Sequence, residues 1–177
     1  MVRRETVEVV VEDATIAAGD PAAIIHPVWW IATIYDGPVA YEKSLEAFSR
    51  PQRLVFAVRW YLKEVSNGGH WQFYSNSAGI VWSDALEGFA EFGVSRAADI
   101  LRISAERMGG SPSFDRLERN EQLDRFQPSF DDVDEAFGEL QEKVDIDECV
   151  IQYIRKQPAA FYFSGKITRV VLPGRGQ

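Results

Sequence analysis

The stretch that decides the fold is Glu64-Val65-Ser66-Asn67-Gly68-Gly69-His70-Trp71-Gln72-Phe73-Tyr74-Ser75-Asn76-Ser77-Ala78-Gly79. An apolar helical pattern runs into this stretch, and Asn67-Gly68-Gly69 interrupts it. Asn and Gly adopt left-handed backbone conformations at low cost, as the C-termini of helices often require. We therefore expect a central helix to end here. We also expect a short helix over 71–76 to turn back over it and to bury Trp71, with Tyr74 or Phe73.

The central helix has a clear predicted start at Ser49-Arg50-Pro51-Gln52. The Ser hydroxyl can accept the amide proton three residues on, and the Gln side chain can bond back to the Ser amide. The helix is predicted to run to about Ser66. Phe56 and Trp60 fall on its polar side, so either another segment covers them or they form an exposed patch.

Further helices are predicted on both sides of this one. They cover about 39–48, 84–92, 95–108, 113–126, a stretch beginning near 131, and a last one around 146–154. Their expected N-caps are Ser83, Ser95, Ser113, and Asp131 or Asp132. Within residues 13–37 Asp20-Pro21 suits a helix start and His26-Pro27 an interruption, and Val28–Tyr35 fits a buried strand or a short helix equally well.

The two ends of the chain carry the strand-like patterns. Thr6–Glu12 and Lys166–Leu172 are rich in Val and Ile, so we expect them to pair, with disordered tails as the alternative. The predicted fold is mainly α. It is one compact domain over 1–177, with about seven or eight helices and a small two-stranded β element joining the terminal segments.

The composition excludes several classes of protein. A hydrophobic content of 46% in 177 residues is that of a folded domain. Cys149 is the only cysteine, so an internal disulfide and a cysteine-based zinc site are excluded. No apolar run approaches the roughly 18 residues of a membrane span, and Met1–Glu5 lacks the apolar block of a signal peptide. We therefore expect a cytoplasmic protein that does not bind membranes.

Negative charge is concentrated in one segment. The net charge is −8, and residues 115–148 hold thirteen Asp or Glu against four Lys or Arg. Direct nucleic-acid binding is disfavoured, because it requires a clustered basic surface. The carboxylates form either a solvated face or an interaction surface. The candidate acidic interaction surface consists of Asp124, Asp131, Asp132, Asp134, Glu135, Glu139 and Glu142.

The residues that could carry catalysis are few. His70 beside Glu64, Asn67 and Asn76 is the one cluster that resembles a catalytic site, but a loop histidine at a helix start is the plainer interpretation. Two histidines far apart do not match metal-ligand spacing, and Gly68-Gly69 lacks a phosphate-binding framework. Cys149 lies on an apolar helix face, as a core cysteine does. We therefore assign no catalytic, metal or cofactor-binding residue and expect no cofactor.

Residues 64–79 resemble the helix–NGG–aromatic–Asn signature of a bacterial domain family named after a DNA-mimic protein. The similarity spans about 39–163, with 1–37 and 164–177 as additional segments. The signature residues, which we expect to be structural, are Asn67, Gly68, Gly69, Gln72, Phe73 and Asn76. The resemblance implies an all-helical domain without known catalytic residues. For the named member it implies a dimer that occupies the DNA site of a transcription factor.

These observations favour a non-enzymatic domain that binds a basic DNA-binding protein through its acidic face, in the manner of a DNA mimic, and that can form a homodimer. Two alternatives stay open. The first is a small hydrolase or transferase that uses His70 near Asn67 and Asn76. The second is a neutralising binder of some other protein.

Overall fold

The computed structural model describes residues 3–171. Its elements are β1 (Arg3–Val11), α1 (Asp13–Ala18), α2 (Pro21–Ile24), α3 (His26–Ile31), α4 (Pro38–Leu45), α5 (Arg50–Ser75), α6 (Trp82–Glu91), α7 (Ser95–Arg107), α8 (Arg116–Phe126), α9 (Asp131–Lys143), α10 (Ile146–Arg155) and β2 (Phe163–Val171). Two 3-10 helices, Ser77–Val81 and Pro158–Phe161, follow α5 and α10. The prediction of a mainly α fold is confirmed. The described residues hold ten α-helices, because 13–31 form three short ones that the sequence did not resolve.

The predicted start of α5 is confirmed. Ser49 Oγ accepts from the Gln52 amide at 3.3 Å, and Gln52 Oε1 accepts from the Ser49 amide at 2.9 Å. The same two side chains reach the second 3-10 helix: Ser49 Oγ donates to the Ala160 carbonyl at 2.6 Å, and Gln52 Nε2 donates to the Phe161 carbonyl at 3.4 Å. The capping box therefore begins the central helix and also fixes the segment that leads into β2.

The break inside α5 is also confirmed. Gly68 (φ −161°, ψ 23°) and Gly69 (φ 71°, ψ −174°) leave helical geometry and divide α5 into a first arm, 50–67, and a second arm, 70–75. In a straight helix residues 64 and 76 would lie about 18 Å apart. Their side chains form a hydrogen bond of 2.9 Å instead. The second arm therefore folds back over the first.

The second arm buries two of its three aromatic side chains. Phe73 and Tyr74 are fully buried, as predicted. The prediction for Trp71 is wrong, because 42% of its surface is exposed. Its ring meets Phe130 edge-on at 6.4 Å between centroids, on the outer side of the arm. The reversal at the two glycines sets which face of the arm points inward, and the aromatic spacing alone does not show this.

α3 covers the aromatic side chains on the polar side of α5. Trp29 stacks on Trp60 with 4.4 Å between ring centroids and meets Phe56 edge-on at 5.9 Å. Lys63 Nζ lies 4.5 Å from the centroid of the Trp60 ring, in cation–π contact. The open assignment of Val28–Tyr35 is resolved as the end of a short helix followed by irregular chain.

The predicted N-caps after α5 are wrong. They were Ser83, Ser95, Ser113, and Asp131 or Asp132. α6 continues directly from a 3-10 helix, so its first residues follow helical chain and no side chain caps it. Val94 and Phe130 precede α7 and α9 without side-chain caps. Asp115 caps α8, because its carboxylate accepts from the Leu117 and Glu118 amides. The acidic residues at the start of α9 lie in its first turn, where they favour the positive end of the helix dipole.

The terminal strands pair as predicted. β1 and β2 are antiparallel, with Val7 opposite Ile167 and Thr6 opposite Thr168, whose Oγ1 atoms lie 3.1 Å apart. The predicted end of the second strand, Leu172, lies outside the described residues. Ile167 is buried, and β2 contacts α3. Both terminal segments are therefore attached to the helical core.

A buried arginine closes the C-terminal end of α5. Arg119, on α8, is fully buried, and its guanidinium donates to the carbonyls of Tyr74 (2.7 Å), Asn76 (2.8 Å) and Ser113 (2.7 Å). The Tyr74 carbonyl belongs to the last turn of α5, where a helix end leaves carbonyls without intrahelical partners, Asn76 follows that helix, and Ser113 lies in the loop before α8. Burial lowers the pKa of Arg119 to about 10, so the side chain stays charged at neutral pH beside the negative end of the helix dipole.

Replacing Arg119 with Met should lower the free energy of unfolding by about 3 kcal/mol or more, because buried carbonyls lose their donors. Urea denaturation followed by circular dichroism measures the change. Arg125→Met on the same helix is the matched control. Arg125 is exposed, so its replacement should change stability by less than about 0.5 kcal/mol. Equal losses in the two variants would contradict the capping role.

Candidate functional site

Asp134 ties α9 to the break in α5. Its Oδ1 accepts from the His70 backbone N–H at 2.9 Å and from His70 Nδ1 at 2.5 Å. His70 is the first residue after the two glycines, so this carboxylate holds the start of the second arm. The candidate acidic surface included Asp134, but the structure places its half-buried carboxylate against His70.

His70 is enclosed and occupied on both ring nitrogens. Nδ1–H donates to Asp134, and Tyr61 Oη, 2.7 Å from Nε2, donates to that nitrogen. Burial lowers the pKa of His70, although the hydrogen bond that His70 donates to Asp134 opposes the shift. The imidazole is therefore neutral at pH 7. Neither Tyr61 nor Asp134 could be identified as its partner from the sequence, because they lie 9 and 64 residues away.

Glu64 is the second carboxylate at the break. Its Oε2 accepts from Gln72 Nε2 and from Asn76 Nδ2, each at 2.9 Å. Both amides belong to the candidate signature residues, and both lie beyond the break. Phe73 fills the core, and Asn67 is exposed. The signature positions thus join the two arms of α5.

Each glycine makes room for one of these contacts. A Cβ atom on Gly68 would lie 2.1 Å from Gln72 Oε1, and one on Gly69 would lie 2.3 Å from Asp134 Oδ2. Gly69 also has a positive φ that other residues adopt only with strain. Two glycines are therefore needed because two side chains pass directly over the backbone.

This geometry does not support the catalytic alternative. A general base must reach the proton it removes, and His70 has no exposed surface and no free nitrogen. Asn76 bonds to Glu64 instead of facing His70. The other histidine, His26, accepts from Trp30 Nε1 at 3.0 Å. Within residues 3–171, no group of three His, Cys, Asp or Glu side chains is arranged to hold a metal ion.

α9 presents a row of carboxylates on its outer side. Positions 131, 135, 139 and 142 fall within about 80° of one another around the helix axis. The buried residues of α9 are Val133, Phe137 and Leu140, on the opposite side. The side chains of Asp131, Glu135, Glu139 and Glu142 are all exposed. We call these four the acidic row.

Ion pairs engage part of the acidic segment. Arg107 binds Asp132 through both guanidinium nitrogens, at 2.5 and 2.7 Å, and this hydrogen bonding lowers the pKa of Asp132 to about 2. Lys143 lies 3.4 Å from Glu139. Among the described residues, no Lys, Arg or His pairs with the other three members of the acidic row. Asp124 is exposed but belongs to α8, which packs against α5.

A cleft of about 710 Å³ lies beside the C-terminal end of α9. Arg59, Lys63 and Glu142 are among the residues that line it. Arg59 pairs with Asp147 at 2.6 Å, and Lys63 covers the Trp60 ring. The charges of this cleft are therefore largely satisfied within the protein.

The neutral, buried His70 predicts a pH dependence of stability. The folded pKa lies below the ordinary value of 6.5, so below about pH 6.5 the unfolded chain binds more protons and stability falls. The chain has two histidines, so a His26→Gln background leaves only His70. Between pH 7.5 and 5.5 this variant should lose more unfolding free energy than His26→Gln/His70→Asn. Equal losses would contradict a buried neutral imidazole.

Gly69→Ala should lower the free energy of unfolding by about 1–3 kcal/mol or more, because a strained φ is combined with a clash against Asp134. Gly138→Ala is the control. Gly138 lies within α9, and a Cβ there would meet no atom within 4 Å. That change should be neutral or stabilising by up to about 1 kcal/mol. Urea midpoints compare the two, and a similar effect at both positions would contradict this account of the break.

No helix within residues 3–171 is both long and apolar enough to span a bilayer. No curated protein and no solved structure matches the chain. Residues 46–157, which include the break in α5 and the whole acidic row, match the model of a family described as DMP19-like protein. This match covers 112 of the 177 residues. The chain therefore belongs to the DMP19-like protein family.

Proposed function

We propose that this chain is a non-enzymatic protein-binding domain whose acidic row occupies the DNA-binding surface of a basic protein. Membership of the DMP19-like family supports a DNA-mimic role. The observation that carries the proposal is the row itself: four exposed carboxylates on one side of α9, three of them without a cation among the described residues. A helix face that serves only solubility would not require this alignment.

The spacing of the row suits a phosphate-binding partner. From position 131 to 142 the helix rises about 16 Å, which gives roughly one carboxylate per 5.5 Å. One DNA strand carries a phosphate per 3.4 Å of its axis. The row therefore supplies a little over half the charge density of a single strand. This density is enough to attract a groove lined with Lys and Arg, and Asp124 on α8 adds charge outside the row.

The rest of the chain carries too little net positive charge to offset the negative charge of the acidic segment. Residues 115–148 have a net charge of −9, and the remaining residues a net charge of +1. Surface charges act over about 10 Å at moderate salt. Association with a basic partner should therefore be fast at low ionic strength and weaken as salt is added. The proposal includes a cytoplasmic location, which the sequence composition favours, and a homodimer, which the family resemblance implies.

Charge reversal in the row tests the proposal. Glu135→Lys/Glu142→Lys changes the net charge by four units at exposed positions and leaves Asp132 and Asp134 in their structural contacts. The immobilised wild type should capture DNA-binding proteins from a lysate of its native cell, identified by mass spectrometry. Duplex DNA should release them in competition. The variant should retain at most a tenth of this capture.

A matched charge reversal elsewhere in the chain separates the effect of position from the effect of total charge. Glu8→Lys/Glu46→Lys makes the same change of four units at exposed residues on β1 and next to α4. This control should retain most of the captured protein. Equal losses in the two variants would show that only the overall charge matters. Capture that duplex DNA does not displace would contradict mimicry and favour a neutralising binder of another kind.

A further inference from the structure

Glu64 is a buried carboxylate with no cation partner among residues 3–171. Only 9% of its surface is exposed, and no Lys, Arg or His in the described part of the chain lies within ion-pair distance of it. Glutamates are rarely buried this deeply unless they are paired, because removing a charge from water is costly. Gln72 and Asn76 supply neutral donors, which orient the carboxylate and leave its charge uncompensated.

The two oxygens of Glu64 have different environments. Oε2 accepts both amide hydrogen bonds, and Oε1 accepts none from the described residues. Glu64 and Asn76 line a cavity of about 290 Å³, together with Tyr35 from the irregular chain after α3 and Trp60 from the first arm of α5. The contacts that join the arms of α5 therefore use only Oε2. They leave Oε1 without a hydrogen bond from the described residues, on a side chain that lines a cavity.

A second polar group in the same wall lacks a partner. Trp60 is 93% buried, and its Nε1–H donates to no acceptor among the described residues. This N–H is a donor and an ammonium group offers no acceptor, so the indole reports on a ligand in the cavity without binding it. The wall also contains the exposed Tyr35 ring, and aromatic faces attract cations. The Trp60 ring already stacks on Trp29 and contacts Lys63, so we assign it no role in holding a cation. An unpaired carboxylate near an accessible aromatic ring suits an ammonium group.

Arg116 lies at the edge of this cavity without neutralising Glu64. Its Nε donates to the Ser75 carbonyl at 2.9 Å, and its guanidinium lies farther than 4 Å from the Glu64 carboxylate. Asn120 donates to the same carbonyl at 3.2 Å, so the helix end keeps a donor when Arg116 is replaced. Arg116 should therefore repel a cation held by Glu64.

We propose that this cavity binds one primary ammonium group, held by Glu64 Oε1 beside the Tyr35 ring. The group comes either from a small free amine or from a lysine side chain of a protein. The site is separate from the acidic row, because Glu64 belongs to α5 and the row belongs to α9. Binding at this site can be measured without a partner protein.

Titrations of the ¹⁵N-labelled full chain test the site directly. The probes are putrescine, Nα-acetyl-lysine methylamide, and the uncharged Nα-acetyl-norleucine methylamide. The readout is the chemical shift of the Gln72 and Asn76 side-chain amides and of the Trp60 indole N–H. We expect saturable shifts with an amine and none with the norleucine probe. Saturation by putrescine alone identifies a free amine as the ligand, and saturation by the lysine probe alone identifies a protein side chain.

Two variants with opposite expected effects separate binding from structure. Glu64→Gln keeps an oxygen that can accept from Gln72 and Asn76 but turns an NH₂ group toward the cavity, so amine affinity should fall at least tenfold. Arg116→Gln removes the repelling charge, so affinity should rise about two- to threefold. Thermal unfolding confirms that each variant folds. Absence of saturable shifts, equal binding of the norleucine probe, or unchanged affinity in Glu64→Gln would overturn the proposal.

Discussion

The structure depends on the reversal of α5 at Gly68-Gly69. A helix that turns back on itself loses backbone hydrogen bonds at the turn, and the positive φ of Gly69 excludes other residues without strain. Two carboxylates compensate for this loss. Glu64 bonds to the second arm through Gln72 and Asn76, and Asp134 bonds to the first residue of that arm. Hydrogen bonds to charged groups contribute about 1.5–3 kcal/mol each, which is enough to hold such a turn.

The same contacts position the face that we connect with function. Asp134 lies in the first turn of α9, so its bond to His70 fixes the start of the helix that carries the acidic row. Arg107 holds the same turn from α7 through Asp132. Asp134 faces inward to His70, the largely exposed Asp132 pairs with Arg107, and positions 131, 135, 139 and 142 lie on the side of α9 opposite its buried residues. The break in α5 and the charged face are therefore parts of one arrangement.

Local chemistry made part of this fold predictable. The Ser49–Gln52 capping box, the glycine break and the pairing of the terminal strands each follow from short patterns, and the structure confirms them. Predictions failed where the role of a side chain depends on a partner far away in the sequence. Asp134 resembled any surface carboxylate, because its bond to His70 joins residues 64 positions apart. Arg119 looked like one charge on a polar helix, since nothing nearby in sequence indicates the carbonyls it caps.

The central claim is that the imidazole–carboxylate contact between α5 and α9 holds the reversed arm in place. A double-mutant cycle with His70→Phe and Asp134→Ala measures this contact directly. Both variants that carry His70→Phe lose the hydrogen bond to Tyr61, so this loss cancels in the coupling free energy. The account predicts a coupling free energy of about 1.5–3 kcal/mol from urea unfolding at pH 7.5. Additive effects, with a coupling below about 0.5 kcal/mol, would contradict it.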